Sequence, residues 1–197
     1  MRKNVLLILV IILTFSCSSS IKTKEKLELS KNEKEIINNF LENELASAAY
    51  RYRINNNIVV IETTIPKKQV LSAYLSLLIN YKKSLIDSIQ AVKMTKELEK
   101  EPQYYWKNSD FIIKNLQTQS NEDFRKTIKT EEYFNLPNRI IFHLSVPLLI
   151  NEKEALVSFM SGSGDTGFTS INSGIVLMIK NNENKWVFKC FLGSPYS

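Results

Sequence analysis

The residues that offer the most chemistry lie in one glycine-rich stretch. It consists of Gly162, Ser163, Gly164, Asp165, Thr166 and Gly167. The glycine spacing matches a dinucleotide-binding loop, which works because the pyrophosphate sits on the N-terminus of the following helix. Residues 168–179 instead predict a loop and then a strand, so we expect no helix dipole and no cofactor. We treat the stretch as a hairpin loop and keep it as a candidate ligand loop.

The triplet Asp165, Thr166 and Gly167 also matches the one that carries the catalytic aspartate in aspartic peptidases. Those enzymes need two carboxylates that share a proton, and the chain has no second copy of the triplet. Cation binding by Asp165 is a further alternative, although calcium sites usually gather several carboxylates. We therefore expect neither a peptidase nor a metal site here.

His143 is the only histidine of the chain. The apolar run around it predicts a strand, in which His143 shares a face with Ile141 and Ser145. One histidine and one cysteine beyond Cys17 cannot form a zinc site, so we expect His143 to be structural. An envelope hydrolase that uses His143 with a nearby carboxylate or serine is the alternative. Carboxylate pairs such as Glu42 and Glu44 are expected on solvated faces.

A second candidate site is the aromatic run Tyr104, Tyr105 and Trp106. Such rings can stack on a carbohydrate or a nucleobase, but they also dominate ordinary cores. No convergent set of polar residues accompanies the run in sequence. Packing in the core or at its rim is therefore the competing interpretation of this candidate aromatic patch.

The elements that position these residues are strands near the C-terminus. Short runs rich in β-branched and aromatic residues cover 140–146, 155–160, 175–179 and 186–191. Turns that begin with asparagine, at 151–153 and 181–185, lie between the first two runs and between the last two, which predicts an antiparallel meander. Cys190 lies in the last strand, where we expect a buried, inert thiol.

Helices are predicted ahead of the meander. Ser30 and Glu33 form a capping box for a helix from Lys31 to about residue 49. A long amphipathic helix follows Pro66 and ends before Pro102, with a face of Leu71, Tyr74, Leu78, Tyr81, Leu85 and Val92. We expect that face to pack on the sheet of the same chain; the alternative is that it pairs with a partner helix in a coiled coil. Residues 50–54 form a hairpin with 58–65 or finish the first helix, and a short helix runs from Ser120 to about residue 129.

The N-terminus carries two basic residues and an apolar run, 5–15, which is too short to span a membrane. The run ends at Ser16 and Cys17, with serines after the cysteine. This resembles the lipobox of bacterial lipoproteins, although Thr14 stands where leucine is usual. The resemblance implies a signal peptide at 1–16, a lipid (diacylglycerol and palmitate) on Cys17, a tether at 17–29 and one domain at 30–197. It also implies an envelope location, with the serine after Cys17 favouring the outer membrane.

The composition agrees with a body in water. The 197 residues include 26 basic and 20 acidic side chains, a net charge of +6. Without Arg2 and Lys3 the counts are 24 and 20, a net charge of +4, which is weak support for a polyanionic partner such as nucleic acid. With Cys17 lipidated, Cys190 has no disulfide partner within the chain.

The C-terminal half also resembles an arrangement in small bacterial lipoproteins of unknown function. The resemblance is carried by residues 106–111, 145–148, 155–157, the glycine-rich loop and 180–186. It implies a fold only. The sequence thus predicts a single α+β domain, an antiparallel sheet against two longer helices. We expect a membrane-tethered, non-enzymatic module that binds a protein or glycan, with an inhibitor or immunity-type lipoprotein as a further alternative.

Overall fold

The computed structural model of the chain describes residues 27–50, 57–77, 84–130, 139–163 and 169–194. Within these residues lie four helices: α1 (Lys31–Leu45), α2 (Lys67–Leu77), α3 (Ser88–Leu98) and α4 (Asn121–Thr127). The strands are β1 (Asn57–Ile61), β2 (Leu116–Gln119), β3 (Arg139–Leu144), β4 (Leu148–Leu149), β5 (Glu154–Ser163), β6 (Thr169–Lys180) and β7 (Trp186–Gly193). The predicted signal peptide, Cys17 and most of the tether lie outside the described residues.

The strands form one sheet in the order β2-β1-β3-β5-β6-β7, with β4 paired to β5. Strands β5, β6 and β7 are antiparallel neighbours, which confirms the C-terminal meander. However, β1 is parallel to both β2 and β3. The prediction of helices with a sheet is therefore confirmed, whereas the prediction of a purely antiparallel sheet is wrong.

Strand β1 has a neighbour on each side and is parallel to both. Parallel neighbours need long crossover connections, and the chain supplies α2 and α3 between β1 and β2, and α4 between β2 and β3. Residues 51–54 of the predicted hairpin lie outside the described residues, and both edges of β1 are occupied by β2 and β3. Strand β2 consists of Leu-Gln-Thr-Gln, and its three polar residues gave no pattern that predicts a strand.

Helices cover both faces of the sheet. On one face, here called the α1 face, Ile36, Ile37 and Phe40 of α1 pack on strand residues such as Phe142 and Phe159. On the opposite face, α2 and α3 cover the β5–β6 part of the sheet, with Val70 and Leu71 against Leu156 and Ile175. Phe124 of α4 covers the β1–β3 part. The sheet is therefore the middle of three layers.

The predicted first helix is confirmed at its start, where Ser30 and Glu33 form the expected capping box, but it ends at Leu45 and not near residue 49. The predicted long helix is wrong. Residues 84–87 are not helical, and Asp87 caps a new helix, α3, by accepting a hydrogen bond from the backbone N–H of Gln90. The break changes the helical phase, so Val92, predicted on the covered face, is 57% exposed.

Two shorter predictions are confirmed. Ser120 caps α4 by accepting a hydrogen bond from the backbone N–H of Asp123. In the turn between β6 and β7, Asn184 has φ = 60°, a conformation that asparagine tolerates better than most residues. The side chain of Asn181 accepts hydrogen bonds from the backbone of Glu183 and Lys185 in the same turn.

One end of the molecule, here called the tether end, is held together by Lys67. Its ammonium lies 3.0 Å from Glu33 in the first turn of α1 and 2.7 Å from Glu101 just after α3. Burial alone would lower the pKa of Lys67, but the hydrogen bond and the charges of Glu101 and Glu33 outweigh it and raise that pKa. The start of α1, the start of α2 and the end of α3 therefore meet at one point.

We predict that Gly174→Ala destabilises the fold by about 1–3 kcal/mol, the usual cost of overpacking. A Cβ at position 174 would overlap the ring of Phe191 and lie 2.7 Å from the backbone oxygen of Gly193. Urea unfolding, followed by tryptophan fluorescence, measures the change. The neighbouring Ser173→Ala serves as the control, and this variant should lose much less stability. An unchanged midpoint for Gly174→Ala would contradict the packing of Phe191 on β6.

Candidate functional site

A cavity of about 330 Å³ lies at the end of the sheet where α1 stops. It is here called the distal cavity. It is lined by Leu45, Ala46, Tyr50, Ile58, Ile113, Lys114 and Ile140. Ile58 and Ile140 project from the starts of β1 and β3 on the α1 face, and the residues after α1 form another wall. The cavity therefore lies at the opposite end of α1 from the tether end.

A group of polar side chains lies beside this cavity. Tyr50 donates its hydroxyl to Glu44 at 3.1 Å, and Asn172 donates its amide to the same carboxylate oxygen at 2.8 Å. Ser161 contacts the Tyr50 hydroxyl, with either oxygen able to donate, and lies 3.0 Å from the backbone oxygen of Asn172; its single proton serves one of these two acceptors at a time. These four residues, here called the Glu44 network, join α1 to the β5–β6 hairpin.

Glu44 is a buried carboxyl, only 6% exposed. Burial raises its pKa, and the hydrogen bonds from Asn172 and Tyr50 offset only part of that rise. A carboxyl with a raised pKa beside a cavity is a common feature of functional sites. Tyr50 and Asn172 both donate to the carboxyl, so the network holds a proton-binding group in a fixed position next to Tyr50.

The distal cavity has the properties of a small-molecule site. Its volume falls at the lower end of the range for ligand pockets, and most of its lining is apolar. Lys114 is exposed and adds a positive charge at the rim, while the ring of Tyr50 leads from the cavity to the buried carboxyl. The arrangement suits a ligand with an apolar body and an anionic end.

The glycine-rich loop begins next to this cavity. Gly162 and Ser163 end β5, where Ser163 pairs with Ile140 of the cavity wall. Residues 164–168 lie outside the described part of the chain, so four members of the candidate ligand loop cannot be placed: Gly164, Asp165, Thr166 and Gly167. Strand β6 follows the loop, as predicted, in the position where a dinucleotide-binding loop has a helix.

The aromatic run does not form an exposed patch. Tyr104 and Trp106 are 6% and 1% exposed and pack edge to face with ring centroids 5.6 Å apart. Tyr104 donates its hydroxyl to Asp110 at 2.7 Å, and Trp106 donates to the backbone oxygen of Leu144 at 3.2 Å. Burial and Asp110 raise the pKa of Tyr104. Only Tyr105, at 56%, exposes its ring, because residues of an extended segment alternate sides.

His143 is half-buried in the middle of β3, opposite Met160. Its neighbour Ile141 belongs to the cluster under α4, which confirms that the strand alternates as predicted. Burial lowers the pKa of His143, so the imidazole is neutral near pH 7. It does not line the distal cavity, and the structure does not bring it to the Glu44 network. Cys190, predicted to be buried, is half-buried and packs on the same side of the sheet as His143, against the cluster under α2.

Sequence reasoning missed the Glu44 network. Glu44 was expected on a solvated face, and that expectation is wrong because it falls three residues after Leu41 on the buried stripe of α1. The position of Glu44 along the helix was therefore enough to predict its burial. No sequence pattern identified Tyr50, Ser161 and Asn172, since hydrogen bonds between distant segments depend on the fold.

The described residues contain no group of three or more His, Cys, Asp or Glu side chains placed to hold a metal ion. Among those same residues, no helix has both the length and the apolar character to cross a membrane. Compared with known protein families, with curated proteins and with solved structures, the chain matches none of them.

We predict that the stability of the Glu44→Gln variant, relative to that of the unmodified protein, increases as the pH rises. The folded state binds the Glu44 proton more tightly than the unfolded chain, so the unmodified protein loses stability as the pH rises from 4.5 through the raised pKa. Glutamine does not ionise, and its oxygen can still accept from Tyr50 and Asn172.

Urea unfolding of both proteins below pH 4.5 and at neutral pH measures this difference. Glu42→Gln changes an exposed carboxylate on the same helix and is the matched control, which should lack the trend. A Glu44→Gln difference that is independent of pH, or that shrinks with rising pH, would contradict the burial of an ionisable Glu44.

Proposed function

We propose that this chain is a lipid-anchored protein of the bacterial cell envelope that acts by binding a small ligand in the distal cavity. The observation that carries the proposal is the cavity itself, which is apolar, beside a buried carboxyl, and at the opposite end of α1 from the tether end. Concave, mostly apolar sites with a few placed polar groups are the usual form of small-molecule sites.

The anchor is supported by the sequence of the first residues. Arg2 and Lys3, the apolar run 5–15 and the Ser16–Cys17 pair match a lipoprotein signal peptide, and the first helix is capped only at Ser30. Several acyl chains on one cysteine would hold the body at a membrane, since each buried methylene contributes about 0.8 kcal/mol. The serine after Cys17 fits the outer-membrane sorting of the lipoproteins that this segment resembles.

The lining favours an amphipathic ligand over a glycan. Among the lining residues that the structure describes, five of seven are aliphatic and Lys114 is the one positive charge. Glycan sites stack sugars on exposed rings, whereas two rings of the aromatic run are buried. The ligand that fits is therefore an apolar molecule with a carboxylate or phosphate group that faces Lys114.

Binding also fits the described chemistry better than hydrolysis. A hydrolase that uses His143 needs the imidazole within reach of substrate, and His143 lies half-buried on the strand face under α4 rather than in the cavity. The proposal therefore assigns no catalytic residue.

We predict that the lipid is lost in Cys17→Ala. Cells that express the protein and receive an alkyne analogue of palmitate should label the unmodified chain and fail to label the variant, because the acyl chains have no thiol to attach to. Cys190→Ala is the matched control and should keep its label, since Cys190 lies in β7. Equal labelling of Cys17→Ala, or no labelling of the unmodified chain, would contradict the anchor.

We predict that Ala46→Phe blocks the cavity. Ala46 lines the cavity, so a phenyl group there should reduce uptake of the fluorescent amphiphile 8-anilinonaphthalene-1-sulfonate by about tenfold, the effect of losing roughly 1.4 kcal/mol. Ala48→Phe is the matched control, because Ala48 is exposed nearby and does not line the cavity. Fluorescence titration measures both, and equal uptake by the two variants would contradict ligand binding in the distal cavity.

A further inference from the structure

The outer side of α3 carries two large apolar side chains that the fold does not use. Ile89 is 82% exposed and Val92 is 57% exposed. They are three residues apart and therefore adjacent on one side of the helix. The buried residue Ala91 lies on the other side, so this exposure follows from how α3 packs.

Lysines share this outer side. Lys93 and Lys96 follow Ile89 and Val92 at helical spacing, and Lys100 continues the row just after the helix ends. Lys93 lies 4.0 Å from Glu97. Within the described part of the chain, no carboxylate lies within ion-pair distance of Lys96 or Lys100. We call Ile89, Val92, Lys93, Lys96 and Lys100 the α3 outer face.

Acidic neighbours of this face are occupied by other lysines. Glu99 lies 3.3 Å from Lys68, and Glu101 lies 2.7 Å from Lys67. The α3 outer face therefore combines apolar side chains with a net positive charge. A short amphipathic helix with this composition suits the interface of a bilayer, where lysine stems lie along the acyl boundary and their ammonium groups reach anionic headgroups.

The position of the tether brings this face within reach of an anchored lipid. Lys67 bridges Glu33, in the first turn of α1, and Glu101, after α3, so the chain leaves the folded body close to the end of α3. The 13 Cα–Cα steps from Cys17 to Ser30 span at most about 45 Å when extended. The 11-residue helix α3 is itself only about 16 Å long.

We propose that the α3 outer face lies on the anionic surface of the membrane that holds the lipidated Cys17, so that the body has one fixed orientation. This inference rests on the proposed anchor. The occupant is a bilayer surface rather than a protein, because the patch is small, basic and adjacent to the point where the anchored chain begins. The distal cavity then opens away from the point of attachment.

The test uses the full mature chain in vesicles of phosphatidylethanolamine and phosphatidylglycerol in equal parts, with brominated acyl chains that quench tryptophan. The native Trp106 and Trp186 are each 1% exposed, so they provide a constant background. Ile89→Trp should lose roughly half of the emission of the new indole, as expected for a ring at the depth of an interfacial helix. Ile112→Trp is the matched control, because Ile112 is 75% exposed and next to α1, on the other face of the sheet. It should show no quenching.

Three results would overturn the proposal. Equal quenching at both positions would mean that the body has no fixed orientation. No quenching of Ile89→Trp, in protein that floats with the vesicles and carries lipid on Cys17, would reject the docking while leaving the anchor intact. Protein that neither carries lipid nor floats would reject both. In the supporting case, adding Lys96→Glu and Lys100→Glu to Ile89→Trp should reduce the quenching about twofold, and more in these vesicles than in phosphatidylcholine.

Discussion

Burial of β5 on both faces is the constraint on which the rest of the structure depends. Val157 and Phe159 point to the α1 face, whereas Leu156 points to the opposite face, and all three are fully buried. Burying each such side chain stabilises the fold by about 1.5–3 kcal/mol. A strand buried in this way needs cover on both sides, so α1 must pack on one face and α2 and α3 on the other.

This two-sided cover gives the molecule two different ends. At the tether end, Lys67 joins the starts of α1 and α2 to the segment after α3. At the far end, Glu44 and Tyr50 join the end of α1 to Ser161 and the β5–β6 hairpin. The 15 residues of α1 separate the two ends by about 22 Å. The proposed anchor and the proposed ligand cavity are thereby kept apart.

How much the sequence could predict depended on whether the signal was local. The cap at Ser30, the cap at Ser120 and the asparagine turn before Trp186 depend on a few adjacent residues, and all were predicted. The parallel pairing of β1 was missed, because its partners β2 and β3 lie far along the chain and β2 is polar. The break before α3 was also missed, since Asp87 interrupts a stripe whose apolar spacing continues through it.

The candidate site was predicted less well than the fold. The aromatic run showed three rings without showing which ones face the core, and Trp106 proved to be among the most buried side chains. The buried Glu44 depends on Asn172, 128 residues away, so no local pattern could identify their contact. The distal cavity likewise arises where α1, β1 and β3 meet, and only the fold brings those residues together.

The central claim is that lipid on Cys17 attaches a binding protein to the envelope. The most direct measurement is mass spectrometry of the N-terminal peptide, released by protease from protein purified out of membranes. The account predicts that Cys17 is the first residue and carries the mass of a diacylglycerol with its acyl chains. A peptide that still begins at Met1, or an unmodified amino terminus downstream of Cys17, would contradict it.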